Sequence, residues 1–293
     1  MKKPKVVITE PSALAALKQI YETNGPGELK WDFAVPGQVT ARDGRLEAKN
    51  GTLISLNLTL ALFSDSGSLT LRGVETLTSL CASSNWLSEI YFHGLPGLTR
   101  LDLSLCKISD LSCLANLTKL TVLNCEGNRV SDWSPLAGLT KLTVLYLAGN
   151  KLSDLSPLAG LTKLTKLRIG SNSICEGNMV NDWSPLARLT KLTDLYLGGN
   201  RISDLSPLAE LAKLTKLHLG SNYLIDISPL AKLTKLTSLN LWGNQIRDIS
   251  SLVGLVNLRE INLKDCSVTD FSPLSRLPKL EMVNGKKFRR PAG

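Results

Sequence analysis

The chain has 293 residues, a formal net charge of +9 and 43% hydrophobic content, with only 5% aromatic residues. A single globular core would be stretched at this length, and no apolar run reaches the ~18–20 residues that cross a bilayer as a helix. The positive excess bears on partners and solubility rather than on fold.

Residues 1–50 lack the pattern that fills the rest of the chain. The start is basic, but Pro4, Glu10 and Pro11 interrupt it, which makes a poor secretory leader. Pro11 to Thr23 places Leu14, Leu17, Ile20 and Tyr21 at helical spacing on one face. Asn24-Gly25-Pro26-Gly27 ends that helix. Trp31 to Leu46 reads as short strands broken at Pro36-Gly37 and Asp43-Gly44. The expected role of 1–50 is an N-terminal cap, with a separate small domain as the other reading.

From residue 51 the chain repeats. Leu53, Leu56 and Leu58 open a degenerate coil, and Leu77, Leu80, Asn85 and Leu87 a clearer one. Regular coils begin at Leu98, Leu120, Leu142, Leu164, Leu192, Leu214, Leu236 and Leu258, with a partial last one at Leu280. Residues 51–285 thus hold about eleven coils, counting the imperfect ends. In one unit, Leu142, Leu145, Leu147, Asn150 and Leu152 spell L-x-x-L-x-L-x-x-N-x-L.

Alternation around Leu145 and Leu147 predicts a strand of a few residues. Such a strand cannot bury its leucines alone, but stacked coils can. The strands then pair in parallel, about 4.8 Å apart. Asn150, repeated at Asn128, Asn172, Asn200, Asn222 and Asn244, is expected to bond backbone groups that the turn leaves unpaired. Cys106 and Cys266 take that slot near the ends.

Each coil returns through Ser-Asp-Leu-Ser-Pro-Leu, as at Ser153 to Leu158. Ser156 is the expected N-cap and Pro157 the first residue of a 3₁₀ or one-turn helix. Pro135, Pro185, Pro207, Pro229 and Pro273 repeat the device. Cys113 and Ser251 replace the proline and should loosen their turns. Trp133 and Trp183 stand where neighbouring coils have Leu155 and Leu205, so both are expected in the core.

One coil, Leu164 to Leu192, is six residues longer than its neighbours. Cys175 to Ala187 nearly repeats Cys125 to Ala137. Two readings stand: a duplication tolerated in a surface loop, or a bulge near Ser171 to Asn181 that adds a partner contact. Residues 286–293 form a basic tail, read as a solvated end. The six cysteines include no C-x-x-C pair, and Cys106, Cys125 and Cys266 fall on inward positions. Buried thiols fit better than disulfides or zinc, and favour a cytoplasmic setting. Signal-independent export is compatible with the same features.

The repeat leaves its outward strand positions unconstrained. One column runs through Asp102, Asn124, Tyr146, Arg168, Tyr196, His218, Asn240 and Asn262. A second holds Arg100, Val122, Val144, Lys166, Asp194, Lys216, Ser238 and Glu260. Tyr, Trp and Arg are the usual interface anchors. The candidate partner-binding residues are therefore Tyr146, Lys166, Arg168, Tyr196, Lys216 and His218, with Trp242 just beyond its strand. The alternative for this set is a merely solvated face.

Two charge ladders flank the strands: lysines from Lys119 to Lys235, and aspartates from Asp110 to Asp270. The aspartates suit turn capping, and the lysines could steer an acidic partner. His93 and His218 are the only histidines. No nucleophile elbow, phosphate loop or metal-spaced cluster is present, so no catalysis, metal or cofactor is expected.

The units LTKLTVLYLAGNKLSDLSPLAG and LTDLYLGGNRISDLSPLAE resemble the 22-residue leucine-rich repeats of the internalins and the SDS22-type phosphatase regulators. The resemblance is close over Leu98 to Val283 and weaker over Leu53 to Leu95. It implies an α/β solenoid: a curved right-handed superhelix with a parallel β-sheet on its concave face and short 3₁₀ or helical turns on the convex one. It implies protein binding on the concave sheet and no enzyme activity. The expected molecule is a monomeric, non-membrane scaffold or adaptor for a protein partner, one of acidic character suiting the charge. Polyanion or nucleic-acid binding through the lysine ladder and tail is the alternative, and the aspartate ladder argues against it.

Overall fold

Leucines spaced to fill one side of a short strand need neighbours, and the computed structural model shows where they find them. It describes residues 6–8, 10–24, 31–32, 39–41, 46–49, 52–58, 67–84, 86–170 and 180–289. The chain divides into two compact units, Met1–Leu142 and Thr143–Gly293.

In the first unit, Thr52–Asn57, Ser79–Cys81, Arg100–Asp102 and Val122–Asn124 pair in parallel, and Leu46–Lys49 adds an antiparallel edge. The helix Pro11–Asn24 forms over the expected span. Its buried face is Ala13, Ala16, Leu17 and Ile20, while Leu14 is only half-buried. The inward stripe is therefore shifted toward the alanines, and the Tyr21 side chain lies outside the described residues. Glu10 precedes the helix and ties it down. Its carboxylate accepts hydrogen bonds from Ser12 Oγ (3.0 Å), Thr76 Oγ1 (2.9 Å) and the Leu53 N–H (3.3 Å).

The earliest coils depart from the expected back. Gly67–Arg72 and Leu87–His93 pair as parallel strands instead of forming 3₁₀ turns. Their buried residues alternate, as Leu69 with Leu71 and Ile90 with Phe92, and no Ser-Pro starts a turn there. Trp133 is buried as expected, 2% exposed.

In the second unit, Val144–Tyr146, Lys166–Arg168, Asp194–Tyr196, Lys216–His218, Ser238–Asn240, Glu260–Asn262 and Met282–Val283 run parallel in unbroken register. Lys286–Lys287 closes the end antiparallel. The backs are 3₁₀ turns from Ser156–Leu158 to Ser250–Gly254, then one α-helical turn, Ser272–Ser275. Leu145, Leu167, Leu195, Leu217 and Leu239 are all buried, and their burial is the main stabilising term.

Ser156 is not the N-cap. Leu155 holds that position, its aliphatic side chain buried in the core and without a group that could cap the turn. Asp154 does the capping: its carboxylate accepts the Ser156 N–H (2.8 Å) and hydroxyl (2.6 Å). The Ser hydroxyl, then the Ser N–H, holds the Asp154, Asp182 and Asp204 carboxyls below the usual range. At Asp132, Asp248 and Asp270 the N–H is the larger cause. The same cap is present where the proline is missing, at Cys113 and Ser251. Both 3₁₀ turns form, with Ser112 and Ser250 donating to Asp110 (2.7 Å) and Asp248 (2.8 Å).

The asparagine ladder forms as expected at the described positions, Asn172 lying outside them. Asn222, 3% exposed, donates to Leu197 O (3.0 Å) and Leu219 O (2.8 Å) and accepts from the N–H groups of Asn200 (3.0 Å) and Ile202 (2.9 Å). Cys106 and Cys266 substitute with thiol bonds to Ala82 O (3.4 Å) and Leu241 O (3.2 Å). Cys266 is half-exposed rather than buried. Burial pushes the Cys113 thiol up to about 11 and Cys125 higher still, so neither is a reactive thiolate.

Trp183 is a partial correction. It lies beside the core residues Leu186, Leu197 and Ile202, as expected, but is only half-buried, with another edge beside Asp182, Ser184 and Arg201. The insertion near Ser171 to Asn181 lies almost wholly outside the described residues, as do the last residues of the tail.

Candidate interaction face

The register of the second unit places outward side chains side by side. Tyr146, Arg168, Tyr196, His218, Asn240 and Asn262 occupy one row across successive strands. Val144, Lys166, Asp194, Lys216, Ser238 and Glu260 occupy the next.

The first four members of the first row form a continuous stack. The Arg168 guanidinium lies 5.6 Å from the Tyr146 ring centre and 5.1 Å from that of Tyr196, within cation–π range of both. The Tyr196 and His218 rings stack at 4.1 Å with 19° between their planes.

Three glycines make room for these rings. A Cβ on Gly170 would overlap the Tyr196 ring, 2.7 Å from Cδ1. One on Gly198 would lie 3.0 Å from His218 Nδ1, and one on Gly220 3.2 Å from His218 Cε1. Tyr196 leans over Gly170 and His218 over Gly198, in each case the glycine of the preceding coil, while Gly220 clears His218 from within its own coil.

His218 is further fixed by a relay. The Trp242 backbone N–H donates to Asn240 Oδ1 at 3.0 Å, which orients that amide. Asn240 Nδ2 then donates to His218 Nε2 at 2.9 Å. The imidazole proton therefore sits on Nδ1, which is buried with no partner among the described residues. Burial, and secondarily the Arg168 charge, lowers the His218 pKa, so the ring is neutral at physiological pH.

Six of the seven candidate residues line one cleft of about 580 Å³: Tyr146, Lys166, Arg168, Tyr196, Lys216 and His218. Trp242 is exposed, but it does not line the cleft. Its indole N–H donates to Asp265 instead. The chain has left the strand at that residue, so the side chain follows the turn. Among the described residues, no carboxylate lies within ion-pair distance of Lys166 or Lys216. Asp194, between them in register, accepts from Thr193 Oγ1 at 2.7 Å.

Sequence reasoning did not select Asn240, Asp194 or the glycines. The glycines did leave a signal: Ile169-Gly170, Leu197-Gly198 and Leu219-Gly220 recur at one repeat position, where other coils have Ala148 and Trp242. Among the described residues no group of His, Cys, Asp and Glu could hold a metal, and no helix is long and apolar enough to cross a membrane.

A family model for leucine-rich repeats, in two copies, matches residues 96–138, 140–176 and 212–254. Among solved structures, internalin C2 from Listeria monocytogenes is 39% identical, with 60% of this chain and 76% of that one covered and a TM-score of 0.56. An internalin F from the same species is 29% identical over 74% of this chain and 86% of that one, at 0.53. The plant peptide hormone receptor RGFR1, solved in complex with RGF2, is 20% identical over 81% and 40%, at 0.63, a likeness of fold alone. A comparison with curated proteins found no match. With repeat, register and asparagine ladder in place, the chain belongs to the leucine-rich repeat family and resembles its internalins.

Proposed function

We propose that the chain is a non-enzymatic scaffold that takes a protein partner on the exposed sheet face of residues 143–293. The leucine-rich repeat is typically an interaction fold, and its internalin relatives here are typically binding scaffolds. The observation that carries the reading is the Tyr146–Arg168–Tyr196–His218 stack. Rigid aromatic groups and an arginine held between them bind at low entropic cost. Three cations face one carboxylate in the cleft, which favours a partner surface of acidic character. Cys106 and Cys125 are buried thiols, and a cytoplasmic location belongs to this reading.

Affinity capture with the native chain and with Tyr146→Ala/Tyr196→Ala tests it. A partner retained by the first and lost by the second, with unfolding unchanged, supports the assignment. Retention of every partner overturns it. Trp242→Ala, outside the cleft, serves as a separate comparison.

A further inference from the structure

Resting on that reading, we propose that the partner presents an extended acidic segment, with carboxylates two or three residues apart, seated on Lys166, Arg168 and Lys216. Lys166 and Lys216 lie two strands apart in register, which separates their Cα atoms by about 9.6 Å. Lys166 and Arg168 are two residues apart on one strand, or roughly 6.6 Å. An extended chain advances about 3.3 Å per residue. Carboxylates at i and i+2 therefore match the second spacing, and those at i and i+3 the first.

The three cations differ in how they are held. Lys166 and Lys216 are exposed and unpaired among the described residues, so each can follow a carboxylate without breaking an internal ion pair. Arg168 is held between the Tyr146 and Tyr196 rings, and a guanidinium so oriented loses little freedom on binding a carboxylate. The Tyr faces supply apolar contact for the residues between.

Asp194 selects between polyanions. It stands in register between the two lysines, with Thr193 bonded to its carboxylate. A nucleic-acid backbone carries charge at every nucleotide and would bring a phosphate against it. A peptide can place an uncharged residue there.

The test is fluorescence anisotropy on the full chain with short labelled peptides. One carries two glutamates three residues apart in a Ser/Ala background, the second has glutamines in their place, and a uridine oligonucleotide is the third probe. The expected result is a Glu peptide bound about tenfold more tightly than its Gln counterpart at low salt, and weakened about tenfold by Lys166→Met/Lys216→Met. Asp194→Asn should bring the oligonucleotide closer to the Glu peptide in affinity. Equal binding of the Glu and Gln peptides, absence of Glu-peptide binding at millimolar concentration, or tighter lysine-dependent binding of the oligonucleotide overturns the proposal. If the Glu peptide fails while a captured partner still depends on Tyr146 and Tyr196, the acidic assignment alone falls. If no partner depends on those tyrosines, the face itself is misassigned.

Discussion

Replacing Asn222 by alanine tests the repeat at its most connected point. Five groups bond the Asn222 amide, the longest bond being to Gly220 O at 3.4 Å, and they do not suffer equally. Leu197 O keeps the Asn200 amide at 2.9 Å, and Leu219 O keeps that of Asn244 at 3.0 Å. The N–H groups of Asn200 and Ile202 lose the oxygen that accepts them. Both residues are buried, at 2% and 3% exposure. A stranded buried donor costs about 1–3 kcal/mol, so the variant should lose about 4 kcal/mol. That is a large share of a typical domain's stability, ~5–15 kcal/mol.

The damage should also be local, since each coil touches only its neighbours. Urea unfolding followed by circular dichroism gives the magnitude, and amide exchange gives the place. Protection should fall at Asn200 and Ile202 and stay unchanged at Val130. Asn222→Cys should also lose the acceptor bonds but keep a thiol donor, as Cys266 does toward Leu241 O, and so fall between alanine and the native chain. A loss below about 1 kcal/mol for alanine, or unchanged protection at Ile202, would refute the hydrogen-bond account of the ladder.

Two further outcomes concern the stack. Gly170→Ala meets the Tyr196 ring rather than backbone as its nearest obstacle. Urea unfolding should therefore shift by no more than about 1 kcal/mol either way, while near-ultraviolet dichroism of the stack and partner binding both fall. Unchanged binding would show that the ring arrangement is irrelevant. His218 has a folded pKa below its ordinary 6.5, so the unfolded chain binds more protons as pH falls through that range. Its contribution is fully present above the unfolded pKa and is lost as pH falls from about 6.5 through the folded value. Imidazole resonances, of which the chain has only two, should show His218 neutral at pH 7 and protonated on Nδ1. His218→Phe should remove this part of the acid sensitivity. A His218 midpoint at or above 6.5 would contradict the burial of the ring beside the Arg168 charge.

What sequence revealed, and what it concealed, divides along one physical line. Leu145, Asn150 and Pro157 were legible because every coil repeats their surroundings, so period alone fixes their places. The cap was misassigned for a local reason: Ser156 and Asp154 are both good N-terminal residues, and only the inward Leu155 between them decides which side chain can reach the turn. The paired strands Gly67–Arg72 and Leu87–His93 escaped because their alternation lies outside the repeat template. The face was harder still. Tyr146, Arg168, Tyr196 and His218 share one row, and that row follows from counting. Their stacking does not, because it needs Gly170, Gly198 and Gly220 two residues further along each coil. Glycine after a leucine looks like an ordinary turn residue when read along the chain. Only across coils, with each ring set beside the preceding coil's glycine, does it become the space that holds the ring. Trp242 marks the limit of that logic, since it fills the glycine position itself and turns to Asp265. Recognition on this sheet therefore depends on two rows at once, an aromatic one and an empty one, and a substitution in the empty row should disable the face while leaving the leucine core intact.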